Sequence, residues 1–70
     1  MITIKSTSAE GTYYLVNGWN RYKTYWYKKP DPRVCGFKTA GLAIRSLNHL
    51  LKIMPEYAGD RFDLVRLNEQ

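Results

Sequence analysis

Arg21 to Lys29 reads Arg-Tyr-Lys-Thr-Tyr-Trp-Tyr-Lys-Lys, the densest aromatic run of the chain, and it also carries much of the positive charge. The run contains no Gly, Pro, Asn or Asp, and its ring-bearing and β-branched side chains suit a pleated surface. We therefore predict a strand from Arg21 to Lys29.

Alternation divides this predicted strand into two faces, because successive side chains leave opposite sides of a sheet. One face consists of Tyr22, Thr24 and Trp26. The other is basic and aromatic, and it consists of Arg21, Lys23, Tyr25 and Tyr27. The second face is the candidate functional surface.

A hairpin partner precedes this strand. Thr12 to Val16 is rich in strand formers, and Asn17-Gly18 follows it, a pair that tolerates the positive φ angles of tight turns. A loop with an even number of residues places Tyr13 and Leu15 on the face of Trp26. It places Tyr14 and Val16, with Trp19 as a further candidate, on the basic aromatic face. A loop with an odd number of residues, such as three, places each of these side chains on the other face.

The rest of the chain predicts two more strands and one long helix. Ile2 and Ile4 alternate with Thr3 and Lys5 and indicate a first strand, followed by a polar turn from Ser6 to Gly11. Pro30-Asp31-Pro32 ends the aromatic strand, because proline removes ladder donors. Val34 to Phe37 is interpreted as a short returning strand, and Arg61 to Leu67 as the last strand after a turn at Gly59-Asp60. Gly36 and Gly41 are interpreted as turn or close-packing positions.

The predicted helix runs from about Ala40 to Met54, with Thr39 as N-cap and Pro55 ending it. Its apolar stripe has three- and four-residue spacing and faces the sheet. The stripe consists of Ala40, Ala43, Ile44, Leu47, Leu50, Leu51 and Met54. The opposite, polar face consists of Arg45, Asn48, His49 and Lys52.

These elements predict an α+β fold, in which one helix packs on one face of a small antiparallel sheet, within a single domain spanning residues 1–70. Tyr13, Leu15 and the face of Trp26 are expected to lie under Leu47 and Leu51. The basic aromatic face then points outward together with Tyr14.

The net charge of +5 is concentrated in one segment. From Arg21 to Lys38 there are six basic residues and one acidic residue, while the remaining five basic and five acidic residues cancel. Such a field attracts phosphates or an acidic protein surface. Alternatively, the lysines only keep the hairpin soluble and protect a sheet edge. The predicted nucleic-acid or partner-binding residues are Tyr14, Arg21, Lys23, Tyr25, Tyr27, Lys28, Lys29 and Arg33.

Composition argues against several other classes of protein. The chain is 44% hydrophobic with ten aromatic residues, too apolar for disorder, and no run approaches the roughly 20 apolar residues of a membrane span. The N-terminus lacks the order of a signal peptide and Cys35 is a single cysteine, so we expect a soluble, cytoplasmic protein without membrane contact.

No pattern in the sequence indicates catalysis. His49 is the only histidine and lies on the predicted polar helix face, and the carboxylates form no acid/base pair. Cys35 is expected to be a buried structural thiol, although the neighbouring Arg33 and Lys38 would lower its pKa. We therefore expect no enzymatic activity, cofactor, metal or small-molecule substrate.

Two family resemblances follow from these motifs. The segment Tyr13 to Leu51, with Gly36-Phe-Lys-Thr-Ala40 entering the helix, resembles the three-strands-plus-helix plan of AP2 and integrase arm-binding DNA domains, which read DNA with the sheet. That resemblance implies duplex contacts from Arg21, Lys23, Tyr25 and Lys28. However, this chain adds the strand Arg61 to Leu67 and lacks those domains' characteristic residues.

Over nearly its full length the chain is also similar to small bacteriophage accessory proteins with two strands, a Phe-Lys-Thr helix entry and a closing strand. That group includes anti-CRISPR and other host-takeover proteins. Two hypotheses follow for a protein encoded by a phage or mobile element. The first is binding of nucleic acid or a nucleoprotein complex through the basic aromatic face. The alternative is an inhibitor that docks on an acidic surface of a host defence or transcription complex.

Overall fold

The computed structural model of the protein describes residues 1–19 and 24–67. Arg21, Tyr22 and Lys23, which belong to the predicted aromatic strand, lie outside these residues. The elements, in chain order, are strands β1 (Ile2–Ser8), β2 (Gly11–Leu15) and β3 (Trp26–Tyr27), helices α1 (Pro32–Cys35) and α2 (Ala40–Ile53), a 3-10 helix (Pro55–Gly59) and strand β4 (Arg61–Arg66).

The predicted α+β architecture is confirmed. The four strands form an antiparallel sheet in the order β3-β2-β1-β4, and α2 packs against it. Strand β1 is longer than predicted and pairs with β2 through a hairpin that turns at Ala9 and Glu10. The prediction of a polar turn from Ser6 to Gly11 was wrong, because Ser6 and Thr7 are hydrogen-bonded between two partner strands despite being polar.

The second hairpin has the predicted partners but a different connection. Leu15 pairs with Trp26 and Tyr14 with Tyr27, so ten residues, 16–25, join the two strands. This even number corresponds to the first of the two alternatives that the sequence left open, in which Tyr13 and Leu15 share the face of Trp26. The Asn17 amide donates to the Val34 carbonyl oxygen at 2.8 Å instead of closing a two-residue turn.

The predicted strand from Arg21 to Lys29 is reduced to Trp26–Tyr27 among the described residues. Thr24, predicted to lie under the helix, is exposed, and Tyr25, predicted to point outward, packs against the core. The predicted alternation fails here because β3 begins only at Trp26.

The core lies between α2 and one face of the sheet. Ile4 and Leu15 of the sheet are buried with Leu47 and Leu50 of the helix. Val16 and Trp19, assigned to the outward face, also belong to this core. They follow the last residue of β2, where the chain leaves the sheet, so strand alternation no longer governs them.

Helix α2 is close to its prediction. The Thr39 hydroxyl accepts a hydrogen bond from the Leu42 amide at 3.2 Å, which confirms the N-cap. Ile44 is 42% exposed, contrary to its place in the predicted stripe. The helix instead meets the core through Ala43, Leu47 and Leu50, with Leu51 and Met54 packed beside them. Of the helices that the structure describes, none combines the length and apolarity needed to cross a bilayer.

The segment predicted as a returning strand from Val34 to Phe37 is instead the short helix α1, followed by one bridge between Phe37 and Ile2. An Asp31 carboxylate oxygen accepts from the Arg33 amide at 2.9 Å and caps this helix, and Pro32 occupies a first-turn position that needs no amide donor. The Asp-Pro pair therefore starts a helical turn.

Gly36 is a close-packing position, as predicted. A β-carbon at this residue would overlap the Pro32 carbonyl oxygen and the Met1 sulfur. Gly41 is different, because it is exposed in the first turn of α2 and a β-carbon there would meet nothing closer than ordinary contact.

Replacing Leu47 by Ala should lower the free energy of unfolding by about 2–5 kcal/mol, because it opens a cavity in a small core. Arg45→Ala, an exposed change on the same helix, should stay within about 0.5 kcal/mol of the parent. Urea denaturation followed by circular dichroism measures both. Equal stabilities for the two variants would contradict the described orientation of α2.

Gly36→Ala should lower the free energy of unfolding by about 1–3 kcal/mol, because the added methyl group overlaps backbone that cannot move freely. Gly59→Ala is the matched control, since a β-carbon there meets nothing within 4 Å. It should leave the thermal midpoint unchanged or raise it. Equal thermal midpoints for the Gly36→Ala and Gly59→Ala proteins would contradict the tight packing at Gly36.

Candidate functional site

One face of the sheet is turned away from α2 and presents a row of paired side chains. Ile4 and Leu15 face the core, so their neighbours Lys5 and Tyr14 leave the opposite side of the sheet. Lys5 pairs with Tyr14, and Tyr14 pairs with Tyr27. We call this the Lys5–Tyr14–Tyr27 row. Directly opposed residues lie about 4.5–5.5 Å apart at their β-carbons, so the row is continuous across three strands.

The surface around this row is accessible. We define the open face as the row together with Thr7, Thr12, Arg61 and Asp63, which share its side of the sheet. Tyr27 is 37% exposed, and Tyr14 and Lys5 are half-buried. Thr3 lies on the same side of β1 but is fully buried, so the open face begins at Lys5.

Further positive charge adjoins the row from the segment after β3. Lys28 and Lys29 are exposed directly after Tyr27. The Cys35 sulfur lies 3.7 Å from the Lys29 carbonyl oxygen and 3.8 Å from that of Tyr14, so the Lys29 backbone lies close to the Tyr14 backbone. The fold therefore brings the two lysines to the edge of the aromatic row.

Arg33 is the third basic residue of this edge, and its side chain is 89% exposed. Its guanidinium donates to both Asp31 carboxylate oxygens, at 3.4 and 3.3 Å. The hydrogen bond to Asp31 raises the pKa of Arg33, with a smaller contribution from nearby Tyr27, and the same pairing lowers the pKa of Asp31. Asp31 thus orients Arg33 and partly neutralises it.

The structure brings together most of the predicted site but not all of it. Tyr14 and Tyr27 are adjacent on the open face, with Lys28, Lys29 and Arg33 at its edge. Tyr25 is not part of the face, because it packs beside Trp19 with ring centroids 5.1 Å apart. Arg21 and Lys23 lie outside the described residues, so their place in the site stays a prediction.

Lys5 belongs to the row but was absent from the predicted site. The sequence indicated only that the Lys5 side chain points away from the core, because it neighbours Ile4 on a strand. Its position beside Tyr14 depends on the β1–β2 register, which becomes visible only when the hairpin at Ala9 and Glu10 is known.

A second basic surface lies beside α2. Lys38, Arg45 and His49 line a shallow groove with Asn17, and no acidic residue among those that the structure describes lines it. His49 was interpreted as a solvated residue. It is exposed, yet its ring also stacks on Trp19 with centroids 5.5 Å apart, so it helps to cover the core.

Cys35 is a buried thiol, as predicted, but its pKa moves in the opposite direction from the prediction. Burial raises the pKa from 9.0 to about 11, and the charge of Asp31 adds to the effect. Arg33 does not lower it, because its guanidinium is exposed and paired with Asp31. Cys35 is therefore structural and unreactive.

Across residues 1–19 and 24–67, no group of three or more His, Cys, Asp or Glu side chains is placed to hold a metal ion. No protein-family model, curated protein or solved structure matches the chain. The resemblances to AP2 and integrase arm-binding domains and to phage accessory proteins stay predictions.

Alkylation of Cys35 by iodoacetamide at pH 8 should be much slower in the folded protein than in urea, because its thiolate fraction is about a hundredfold smaller and the sulfur is covered. Because the folded state keeps the thiol proton to a higher pH than the unfolded state, the free energy of unfolding should be unaffected by this group below pH 9.0. It should fall as the pH rises from 9.0 to about 11. Equal alkylation rates in the two states would contradict a buried thiol.

Proposed function

We propose that the protein is a non-enzymatic binding protein whose open face binds nucleic acid. The observation that carries this proposal is the Lys5–Tyr14–Tyr27 row with Lys28, Lys29 and Arg33 at its edge. Nucleic-acid platforms combine the same two chemistries, because cations follow phosphates while rings stack on bases.

The arrangement favours unpaired bases over a duplex. Tyr14 and Tyr27 are neighbours on adjacent strands, which lie about 4.7–4.9 Å apart. Two rings at this spacing offer stacking surfaces for successive bases, and only a base outside a double helix exposes its flat face. Lys28 and Lys29 adjoin the same end of the row and supply phosphate contacts.

The charges of the open face fit this assignment. Arg33 and Arg61 are each paired with a carboxylate, Asp31 and Asp63 respectively. Lys28 and Lys29 remain as exposed ammonium groups. Exposed lysines at the edge of an aromatic surface release counterions on binding a phosphate backbone, which gives affinity without sequence preference.

The alternative function is docking on an acidic surface of a host protein. The two arginine–carboxylate pairs favour it, because tyrosine and arginine are common anchors at protein interfaces and a mixed-charge rim gives specificity. In that case Tyr27 acts as an interface anchor and the lysines mainly speed association.

Replacing both Lys28 and Lys29 by Ala should weaken binding of a labelled single-stranded oligonucleotide and flatten its salt dependence by about one unit per lost phosphate contact. Tyr27→Ala should weaken binding by about 1–3 kcal/mol with the salt slope unchanged, because the ring releases no counterion. Fluorescence anisotropy at several salt concentrations measures both effects.

Lys52→Ala is the control, because this lysine is exposed on α2 away from the open face. It should leave the slope nearly unchanged. A duplex oligonucleotide tested in parallel should bind more weakly than the single strand. Absence of saturable binding at low salt, with the circular dichroism spectrum intact, would exclude the nucleic-acid function and favour docking on a protein.

A further inference from the structure

A small cavity lies on the other side of the sheet, next to the C-terminal end of α2. Helix α2 packs over Ile4 and Leu15, but further along β1 the same face carries Ser6 and Ser8. The 3-10 helix that follows α2 folds back toward these serines, and the Ser6 hydroxyl donates to Asp60 at 3.5 Å. The cavity is partly open to solvent, and its volume is about 150 Å³.

Three aromatic side chains of the described residues line this cavity: Tyr13 from β2, Trp26 from β3 and Tyr57 from the 3-10 helix. Trp26 and Tyr57 are nearly perpendicular, with ring centroids 5.6 Å apart and an angle of 77°. Phe62 stacks on Trp26 with centroids 6.0 Å apart and holds the indole in place. The rings therefore form adjoining walls of a box, which we call the aromatic pocket.

Among the described residues, the polar groups of the aromatic pocket are acidic or neutral. Glu10 and Asp60 line it together with the two serines, and no lysine or arginine of residues 1–19 and 24–67 does. The ion pairs of the described residues involve Asp31 and Asp63, so Glu10 and Asp60 have no cationic partner among residues 1–19 and 24–67. In a chain of net charge +5, this concentration of unpaired negative charge beside aromatic rings selects a cation.

The Ser6 hydroxyl positions one of these carboxylates. The residue is only 2% exposed, and its hydroxyl donates to Asp60 at 3.5 Å. A buried hydroxyl is normally paired, because leaving it unsatisfied is costly. Asp60 is therefore held at the wall of the pocket by a buried partner.

Size and wall chemistry identify the class of cation. A volume of about 150 Å³ matches a cavity that holds a benzene-sized group and is well below the roughly 300–1,000 Å³ of sites for larger ligands. Aromatic faces attract a cation most strongly when it is desolvated, and alkylated ammonium groups are the cations that such cages bind. A bare lysine ammonium is strongly hydrated and fits less well.

We propose that the aromatic pocket binds an alkylated ammonium group, carried either by a small amine such as choline or by a trimethylated lysine side chain. Tyr13, Trp26 and Tyr57 surround the methyl groups, while Glu10 and Asp60 neutralise the charge. The pocket lies on the opposite side of the sheet from the Lys5–Tyr14–Tyr27 row, so this site does not depend on the proposed nucleic-acid function.

The first test is an NMR titration of the protein with choline and with 3,3-dimethylbutan-1-ol, which has the same shape and no charge. Choline should produce a saturable shift of the Trp26 indole resonance, while that of Trp19 in the core serves as reference. The neutral alcohol should bind at least about tenfold more weakly, the difference expected of a desolvated cation–π contact. Equal affinities would overturn the proposal.

Variants can distinguish binding in the aromatic pocket from a general effect of the protein's negative charges. Glu10→Gln and Asp60→Asn together should weaken choline binding at least about fivefold, since both change only charge. Asp63→Asn removes the same charge on the open face and should leave the affinity unchanged. Because Asp60 also contacts Ser6, Glu10→Gln alone provides a variant at an exposed position. Identical effects of Glu10→Gln and Asp63→Asn would contradict a local site.

The source of the ammonium group is resolved by titrating a short peptide with trimethyllysine, the same peptide with unmodified lysine, and choline. Tighter binding of the methylated peptide identifies a protein ligand, and equal binding of choline identifies a free amine; either result supports the site. No saturable shift from choline or from the methylated peptide, with the protein folded, overturns it. Oligonucleotide binding to the open face is measured separately and is unaffected by this outcome.

Discussion

The structure depends on the pairing of β1 along both of its edges. Lys5–Ser8 pair with β2 and Ile2–Thr7 pair with β4, so the centre of the strand, from Lys5 to Thr7, is paired on both sides. A shift by one residue would turn every side chain to the other face. This double pairing therefore holds Ile4 under α2 and, in the same step, Lys5 on the open face beside Tyr14. The core and the candidate binding surface are two consequences of one register.

The segment between β3 and α2 supports the open face from behind. Asp31 caps α1 and orients Arg33, while Cys35 and Gly36 are buried between this helical turn and the start of β1. The Asn17 side chain donates to the Gly36 carbonyl oxygen at 2.7 Å and ties the loop after β2 to the same segment. The Cys35 sulfur lies against the carbonyl oxygens of Tyr14 and Lys29, so this buried segment packs directly against the backbone at the edge of the row.

The open face and the aromatic pocket lie on opposite sides of the sheet and differ in charge, and this separation has a physical origin. The open face adjoins the lysine-rich segment after β3, whereas the aromatic pocket is closed by the β1–β2 turn with Glu10 and by the 3-10 helix with Asp60. Opposite charges on opposite faces let each surface attract its own ligand, since the field of a charged cleft concentrates ions of the opposite sign. The proposed sites for a phosphate backbone and for an alkylated ammonium group therefore need not compete.

The sequence by itself determined the features that arise within a few residues. The three- and four-residue spacing of α2, the Thr39 cap and the closing strand near Arg61 to Leu67 follow from local periodicity and cap chemistry. Only the tertiary structure decided that Val16, Trp19 and Tyr25 point inward, that the Pro32–Cys35 segment is helical, that Lys5 joins the aromatic row and that Ser6 meets Asp60, 54 residues away. These features depend on strand order, register and burial against distant parts of the chain, and side-chain alternation along one strand contains none of that information.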